Sequence, residues 1–337
     1  MEIQTISVRF VHALLAGASK HSTCSDKWLN KIGLSPALLE LEGTRITMNK
    51  FAQLYRTIAI ELNDETPGLF SRPLRNGTLK YLCMIMLGAP DLGVALNRFR
   101  NLFYLINDDV EYTVQPCPNG SIKIALQEKK DLGPTRIWAL ELLLMLVQGV
   151  SSWLIGRKIP FESIEFPFDT PHHASEYEQL YPGPVKFNQE VTALYMHPIY
   201  LREPIRQDQS VLNEFIRNAP LNWFYFSPND RPYTHQLRHY LQDKLHLNLT
   251  VNDVALVQHI SPRTLARRLT AEGTTFQKTK DKLRRDIAID LLNKTDTPIA
   301  TIGSSLGFED AAAFNRAFKV WTGSTPGAYR KQIIWQL

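Results

Sequence analysis

The chain has 337 residues, 44% of them hydrophobic, which is enough to bury substantial cores and suggests about two domains. Residues 230–337 carry 16 Lys and Arg against 10 Asp and Glu, whereas the first 229 carry 22 against 23. The positive excess therefore sits in the last third and favours an acidic partner, nucleic acid ahead of membrane because no hydrophobic face accompanies the charge.

Taken in chain order, the first 110 residues read as mostly helical. VRFVHALLAGA (8–18), SPALLE (35–40), NKFAQLYRTIAIELND (49–64) and DLGVALNRFRNLFYLIN (91–107) each place apolar residues three or four apart. The first of these superficially resembles a signal peptide, but Glu2 precedes it and His12 interrupts it, so an amphipathic helix is expected. From residue 111 the period changes: VEYTVQP and SIKIALQE flank CPNG, a hairpin pattern. A long helix is expected over Gly133–Gly156 with Pro134 at its start. Its apolar run LELLLMLVQGV contains Glu141 and Gln148 and falls short of the about 18 residues a bilayer span needs. Strands follow in ESIEFPF, VKFN and TALYMHP, with a short helix over HASEYEQLY. The expected fold class is an α+β N-terminal domain over 1–229, including a linker from about 200, followed by an all-α domain over 230–337.

The last third contains an internal repeat. TVNDVALVQHISPRTLARRLTAEGTTF and TPIATIGSSLGFEDAAAFNRAFKVWTGSTP align Val251 with Ile299, Ala255 with Gly303, Ile260 with Phe308, and Leu269 with Phe318. Each copy reads as a helix-turn-helix unit, one over about 251–272 and one over about 299–321. Between them DKLRRDIAIDLLNK, with Leu283, Ile287 and Leu291 four apart, reads as an amphipathic linker helix over about 277–294. Small Ala255 and Gly303 would allow close helix approach. Leu265 with Leu269, and Phe314 with Phe318, would form the inward stripes. The outward faces then hold Arg263, Ala266, Arg267 and Thr270 in the first unit, and Ala311, Ala312, Asn315, Arg316 and Lys319 in the second. Ser261 and Pro262 supply an N-cap and a first-turn proline, which firm the helix end and free its amides for a phosphate.

These residues resemble the C-terminal DNA-binding domain of the AraC/XylS transcription regulators, the stretch IATIGSSLGFEDAAAFNRAFKVWTGSTPGAYR being similar almost throughout. Gly303 stands where the family usually has alanine and Val320 where a basic residue is common, which removes one phosphate contact. The segment YPGPVKFNQEVTALYMHPIYLREPI (181–205) more loosely resembles the effector domain of the ornithine-utilisation-type subgroup. The resemblance implies double-stranded promoter DNA as partner, a small-molecule effector, a homodimer, and contact with RNA polymerase if the protein activates; no cofactor is expected, and the alternatives are a ligand-independent or protein-partner-regulated regulator and an N-terminal enzyme fused to a DNA-binding module. By residue matching, Ser261, Arg263, Thr264, Arg267 and Arg268 face DNA in the first unit. Arg263 and Arg267 are the base-edge candidates, since arginine pairs bidentately with guanine, and Arg268 is a phosphate candidate. In the second unit Ala311 and Ala312 could only read a thymine methyl or permit close approach, leaving Asn315, Arg316 and Lys319, so the first unit is expected to carry more sequence specificity.

Other residue groups read as structural. His172 and His173 are adjacent and lack partners at ligand spacing, so capping or surface roles are expected. His235 and His239 lack a HExxH pattern, and with His246 they read as a helix face and its surroundings. Glu61, Asp64 and Glu65 fall in NDETPG, a turn composition. Cys24, Cys83 and Cys117 show neither disulfide nor zinc spacing and read as buried small hydrophobes in a reducing cytoplasm. No GxSxG, P-loop or GxGxxG occurs, so no catalytic residue and no metal site is expected. Phe103, Tyr104, Trp138 and Trp153 are pocket or core positions, with core the default.

Overall fold

The computed structural model describes residues 5–20, 25–40, 43–181, 183–224 and 232–334. Two compact units form: Met1–Val11, Asp26–Phe51 and Ser227–Leu337 make one, and His12–Ser25 with Ala52–Phe226 the other.

In the first unit, strand β1 (Thr5–Ser7) pairs antiparallel with β2 (Arg45–Thr47) in the register Thr5↔Thr47. Among the described residues beyond 231, seven α-helices follow: Pro232–Gln242, Val251–Val257, Pro262–Ala271, Phe276–Lys294, Ile299–Ser305, Ala311–Thr322 and Pro326–Ile334. The expected helix-turn-helix pairs and linker helix are all present. The linker helix Phe276–Lys294 differs from the simple amphipathic stripe. It buries Leu283, Ala288, Ile289 and Leu292, and also Lys280, Arg284, Asp286 and Asp290, while Ile287 and Leu291 are half-buried. The helix is central to its unit, with β2, the helices Pro232–Gln242 and Ile299–Ser305 and the last helix packed on it. Its charged residues are therefore covered and must find partners inside the protein.

In the second unit a five-stranded sheet has the order β3-β4-β7-β5-β6. Its strands are β3 (Val110–Pro116), β4 (Ile122–Glu128), β5 (Phe161–Glu165), β6 (Val185–Lys186) and β7 (Thr192–Met196). The β3–β4 hairpin forms where the alternating pattern surrounds CPNG. The helical stretch Gly133–Leu154 is long and apolar enough to cross a membrane by length and composition, yet 83% of its most apolar window is buried inside the protein. It is apolar all round because it is a core helix. Tyr112 of β3 donates its hydroxyl to Leu143 O at 2.8 Å. On another side Gly149 meets Trp223, where a β-carbon would lie 2.9 Å from the tryptophan Cα. The helix Leu92–Ile106 packs Phe99 and Phe103 against Tyr112 with ring centroids 5.0 and 4.8 Å apart. The helices Ser25–Lys31 and Thr78–Leu87 were not expected from the sequence pattern.

Candidate nucleic-acid interface

In the first helix-turn-helix, Thr250 caps Val251–Val257 in a reciprocal box with Asp253. The chain turns through His259 at φ 53°, and Ile260 N–H closes the turn on Ala255 O at 3.0 Å. The second helix, Pro262–Ala271, begins at Ser261, whose hydroxyl accepts from Thr264 N–H at 3.1 Å. Leu265 and Leu269 are fully buried, so the helix presents its other face. Ser261, Arg263, Ala266, Arg267 and Thr270 are exposed, and Thr264 and Arg268 are half-buried. Arg268 is turned sideways, its guanidinium over the Tyr233 ring at 4.4 Å from the centroid.

The second unit repeats the plan with other parts. Gly303 lies against Phe314, where a β-carbon would sit 3.1 Å from the phenylalanine Cβ. Gly307, at φ +77°, would drive a β-carbon to 2.1 Å from Leu245 O, so the turn requires glycine. Asp310 caps Ala311–Thr322 by accepting from Ala313 N–H at 2.6 Å. Phe314 and Phe318 are buried, Ala311, Ala312, Arg316 and Lys319 are exposed, and Asn315 is half-buried. Val320 is 85% exposed.

The linker helix fastens the loop before the first unit and the turn of the second through side chains whose role the sequence did not disclose. Lys280 Nζ donates to Asn248 Oδ1 at 2.7 Å and Leu249 O at 2.8 Å, next to the start of the first unit. Burial lowers the Lys280 pKa, with Arg284 adding to the effect. Arg284 donates Nε–H to Leu306 O at 2.8 Å, and its other arm reaches Gly307 O and Asn248 Oδ1. Asp286, 2% exposed, accepts from Thr5 Oγ1 at 2.6 Å, Arg285 at 3.0 Å and Arg238 at 3.3 Å. Burial alone would raise this carboxyl, but the two guanidinium groups and the Thr5 hydroxyl hold it below its ordinary range. Arg45 donates to Thr5 Oγ1 at 3.0 Å and accepts on its carbonyl from the Tyr329 hydroxyl. The β1–β2 pair is thereby tied to the linker helix and to the last helix.

In the other unit, Glu141 is 2% exposed and lies 2.8 Å from His173 Nε2, with the Tyr177 hydroxyl donating to the same oxygen. His173 stands at the N-cap of the short helix Ala174–Glu176 but its side chain makes no capping bond; it turns instead to Glu141, because a carboxylate inside the core helix needs a donor, and His172 is exposed. Asp64 accepts from the Thr66, Gly68 and Leu74 amides, and Glu65 accepts from Gly77 and Leu79. Both carboxylates organise the turn, and Glu61 is exposed. Burial, with the Glu65 charge, pushes the Cys83 thiol up to about 12, Cys117 is half-buried, and Cys24 lies outside the described residues. His239 and His246 are exposed, and His235 lies within Pro232–Gln242. No group of three metal-ligating side chains occurs among the described residues. Phe103 and Trp138 are buried and Trp153 stacks on Phe215 at 4.2 Å, all core roles. Tyr104 is 63% exposed and lines an open groove of about 500 Å³ with Arg100, Leu105 and β3.

The family described as the arabinose-binding domain of AraC transcription regulator, N-terminal, matches residues 25–205, and a helix-turn-helix domain family matches residues 254–332. The ornithine utilization regulator of Pseudomonas aeruginosa is 23% identical over 97% of both chains. The transcriptional activator NphR of Rhodococcus sp is 34% identical over 27% of this chain and 28% of its own. Among solved structures, the transcriptional regulator CdpR from Pseudomonas aeruginosa aligns over 96% of this chain and 97% of its own, with 19% identity and a TM-score of 0.36. The first of these family matches covers more than half of the chain and the second falls on the tandem helix-turn-helix region; the chain belongs to the AraC-type transcription regulators and is a DNA-binding transcription regulator of that family.

Proposed function

We propose that the second helix of each helix-turn-helix unit enters the major groove of promoter DNA, and that the first unit, over about 251–272, supplies most of the sequence specificity. The observation that carries this reading is the division of each helix between a buried apolar stripe and an exposed polar face, Arg263 and Arg267 on one and Arg316 and Lys319 on the other. Arg263 and Arg267 read base edges. Ser261, Thr264 and Arg268 hold phosphate, helped by the capped amide end of the helix. In the second unit, over about 299–321, Ala311 and Ala312 permit close approach, Asn315 reaches a base edge, and Arg316 and Lys319 hold the backbone. The linker helix, about 277–294, keeps the two units about one duplex turn, ~34 Å, apart.

Residues 1–229 take the effector-sensing and dimerising part of this reading, with the DNA-binding part at 230–337. A small molecule bound in the sheet-containing unit shifts the population toward one state. The match to an arabinose-binding domain family supports a small-molecule role, and the name of the Pseudomonas aeruginosa relative puts amino acids and amines first among candidates. We take the protein as a cytoplasmic homodimer and an activator that contacts RNA polymerase; the activator name of the Rhodococcus relative, matched over the DNA-binding part, supports that direction.

Fluorescence anisotropy on a selected operator tests the DNA reading. Arg263→Ala should cost about 1–3 kcal/mol and relax specificity at one position, whereas Arg316→Ala should weaken all sequences alike. Uniform weakening by Arg263→Ala would overturn its assignment to a base.

A further inference from the structure

The sheet of the second unit has two unlike edges. One, β6, is two residues long, and the other, β3, is seven. An unpaired strand of that length is a template for another strand. Its backbone polarity can be worked out. Lys129 N–H donates to Asp109 O at 2.7 Å and Cys117 N–H to Ser121 O at 2.8 Å, and both pairs continue the β3–β4 register of Val110↔Glu128 and Pro116↔Ile122. Antiparallel strands alternate between pairs that exchange hydrogen bonds and pairs that do not. Glu111, Thr113 and Gln115 therefore bond to β4, and Val110, Tyr112 and Val114 turn their backbone groups to the open edge. The ends are closed off: Val110 N–H donates to Asn107 Oδ1 at 2.9 Å, and Pro116 has no N–H. Tyr112 and Val114 remain, offering two donors and two acceptors.

This set is complementary to itself. We propose that β3 pairs antiparallel with β3 of a second copy about a two-fold axis at Thr113, joining the two five-stranded sheets. The inference rests on the reading of the protein as a dimer and names its surface. In this register Tyr112 exchanges both hydrogen bonds with Val114 of the second copy, and the reverse pair does the same. The next positions out are Val110 and Pro116, which have no N–H to give, so the pairing ends where its donors end. Thr113 faces its own copy, a favourable cross-strand pair, and Glu111 faces Gln115, so no like charges oppose. The added strand lies in the groove of about 500 Å³ beside β3 and covers Tyr104 and Leu105, which are 63% and 66% exposed.

The test uses the full chain in a Cys117→Ser background. A residue on the two-fold axis of a non-hydrogen-bonded pair has its α-carbon about 4.5 Å from its mate, within disulfide range. The Thr113→Cys variant should crosslink to itself on oxidation, and the Gln115→Cys variant should not. In sedimentation, Thr113→Lys and Thr113→Glu should each weaken dimerisation at least about tenfold through like-charge opposition, and mixing the two should restore the dimer. That rescue also shows both variants to be folded. A chain that stays dimeric with both charged variants and does not crosslink at position 113 keeps the dimeric reading and overturns this surface. A chain that is monomeric at every concentration overturns both.

Discussion

Replacing Asp286 by Asn keeps the shape of the side chain and removes the charge that Arg238 and Arg285 share. Both arginine side chains are 11% exposed and the carboxylate 3%, so solvent does little to screen what is left. Removing one partner of a buried pair costs about 3–5 kcal/mol. Because asparagine can still accept from one neighbour, we place Asp286→Asn at about 3 kcal/mol, the lower end. The carboxyl is held below its ordinary range in the folded chain. Its contribution is therefore complete above the unfolded value of about 3.9 and fades as pH falls through the lower folded value. Denaturant unfolding of the full chain should show the loss at pH 7 and a shrinking gap between variant and wild type below about pH 4. Amide exchange at Thr5–Ser7 and Arg45–Thr47 should accelerate, since Thr5 and Arg45 reach the linker helix through this carboxylate. The control is Asp290→Asn, whose partner Lys294 is 66% exposed, at under about 1 kcal/mol. A loss at Asp286 no larger than at Asp290, with exchange unchanged, would refute the argument that this carboxylate ties the β1–β2 pair down.

Gly307→Ala should destabilise by about 2–4 kcal/mol in thermal unfolding, because a left-handed turn penalty adds to a forced shift of the Leu245 backbone. Arg284→Ala strands the Leu306 and Gly307 carbonyls and should cost about 3 kcal/mol by the same assay. Arg284→Lys should not restore it, since an ammonium lacks the planar fork that spans Leu306, Gly307 and Asn248.

The helix-turn-helix units were legible because their signals are local. A cap at Ser261, glycines at 303 and 307, and apolar residues three and four apart all act within one or two turns of chain. The β3–β4 hairpin was legible for the same reason. The β1–β2 pair was not, since three-residue strands carry no readable period and their partners lie 40 residues away in the sheet and 281 away at Asp286. The linker helix misled for a related cause. DKLRRDIAID has the composition of a solvated face, and only the tertiary partners of Lys280, Arg284 and Asp286 show those charges to be internal fasteners. Glu141 and His173 likewise meet across 32 residues, a distance over which sequence spacing says nothing. The open edge of β3 follows from strand order, which a hairpin pattern does not specify. Because Met1–Val11 and Asp26–Phe51 pack with Ser227–Leu337, effector trials by thermal melting belong on the full chain. A ligand at 100 times its dissociation constant should add about 2.7 kcal/mol there.

The most direct measurement of the central claim is selection of binding sites from randomised duplex DNA by the full-length protein, repeated with the Arg263→Ala, Arg267→Ala double variant. The account predicts enrichment of a site with two informative segments centred about one duplex turn apart. The stronger segment should be lost in the double variant while salt-dependent affinity for all duplexes persists. Absence of enrichment by the wild-type chain, or an unchanged consensus in the double variant, would contradict it.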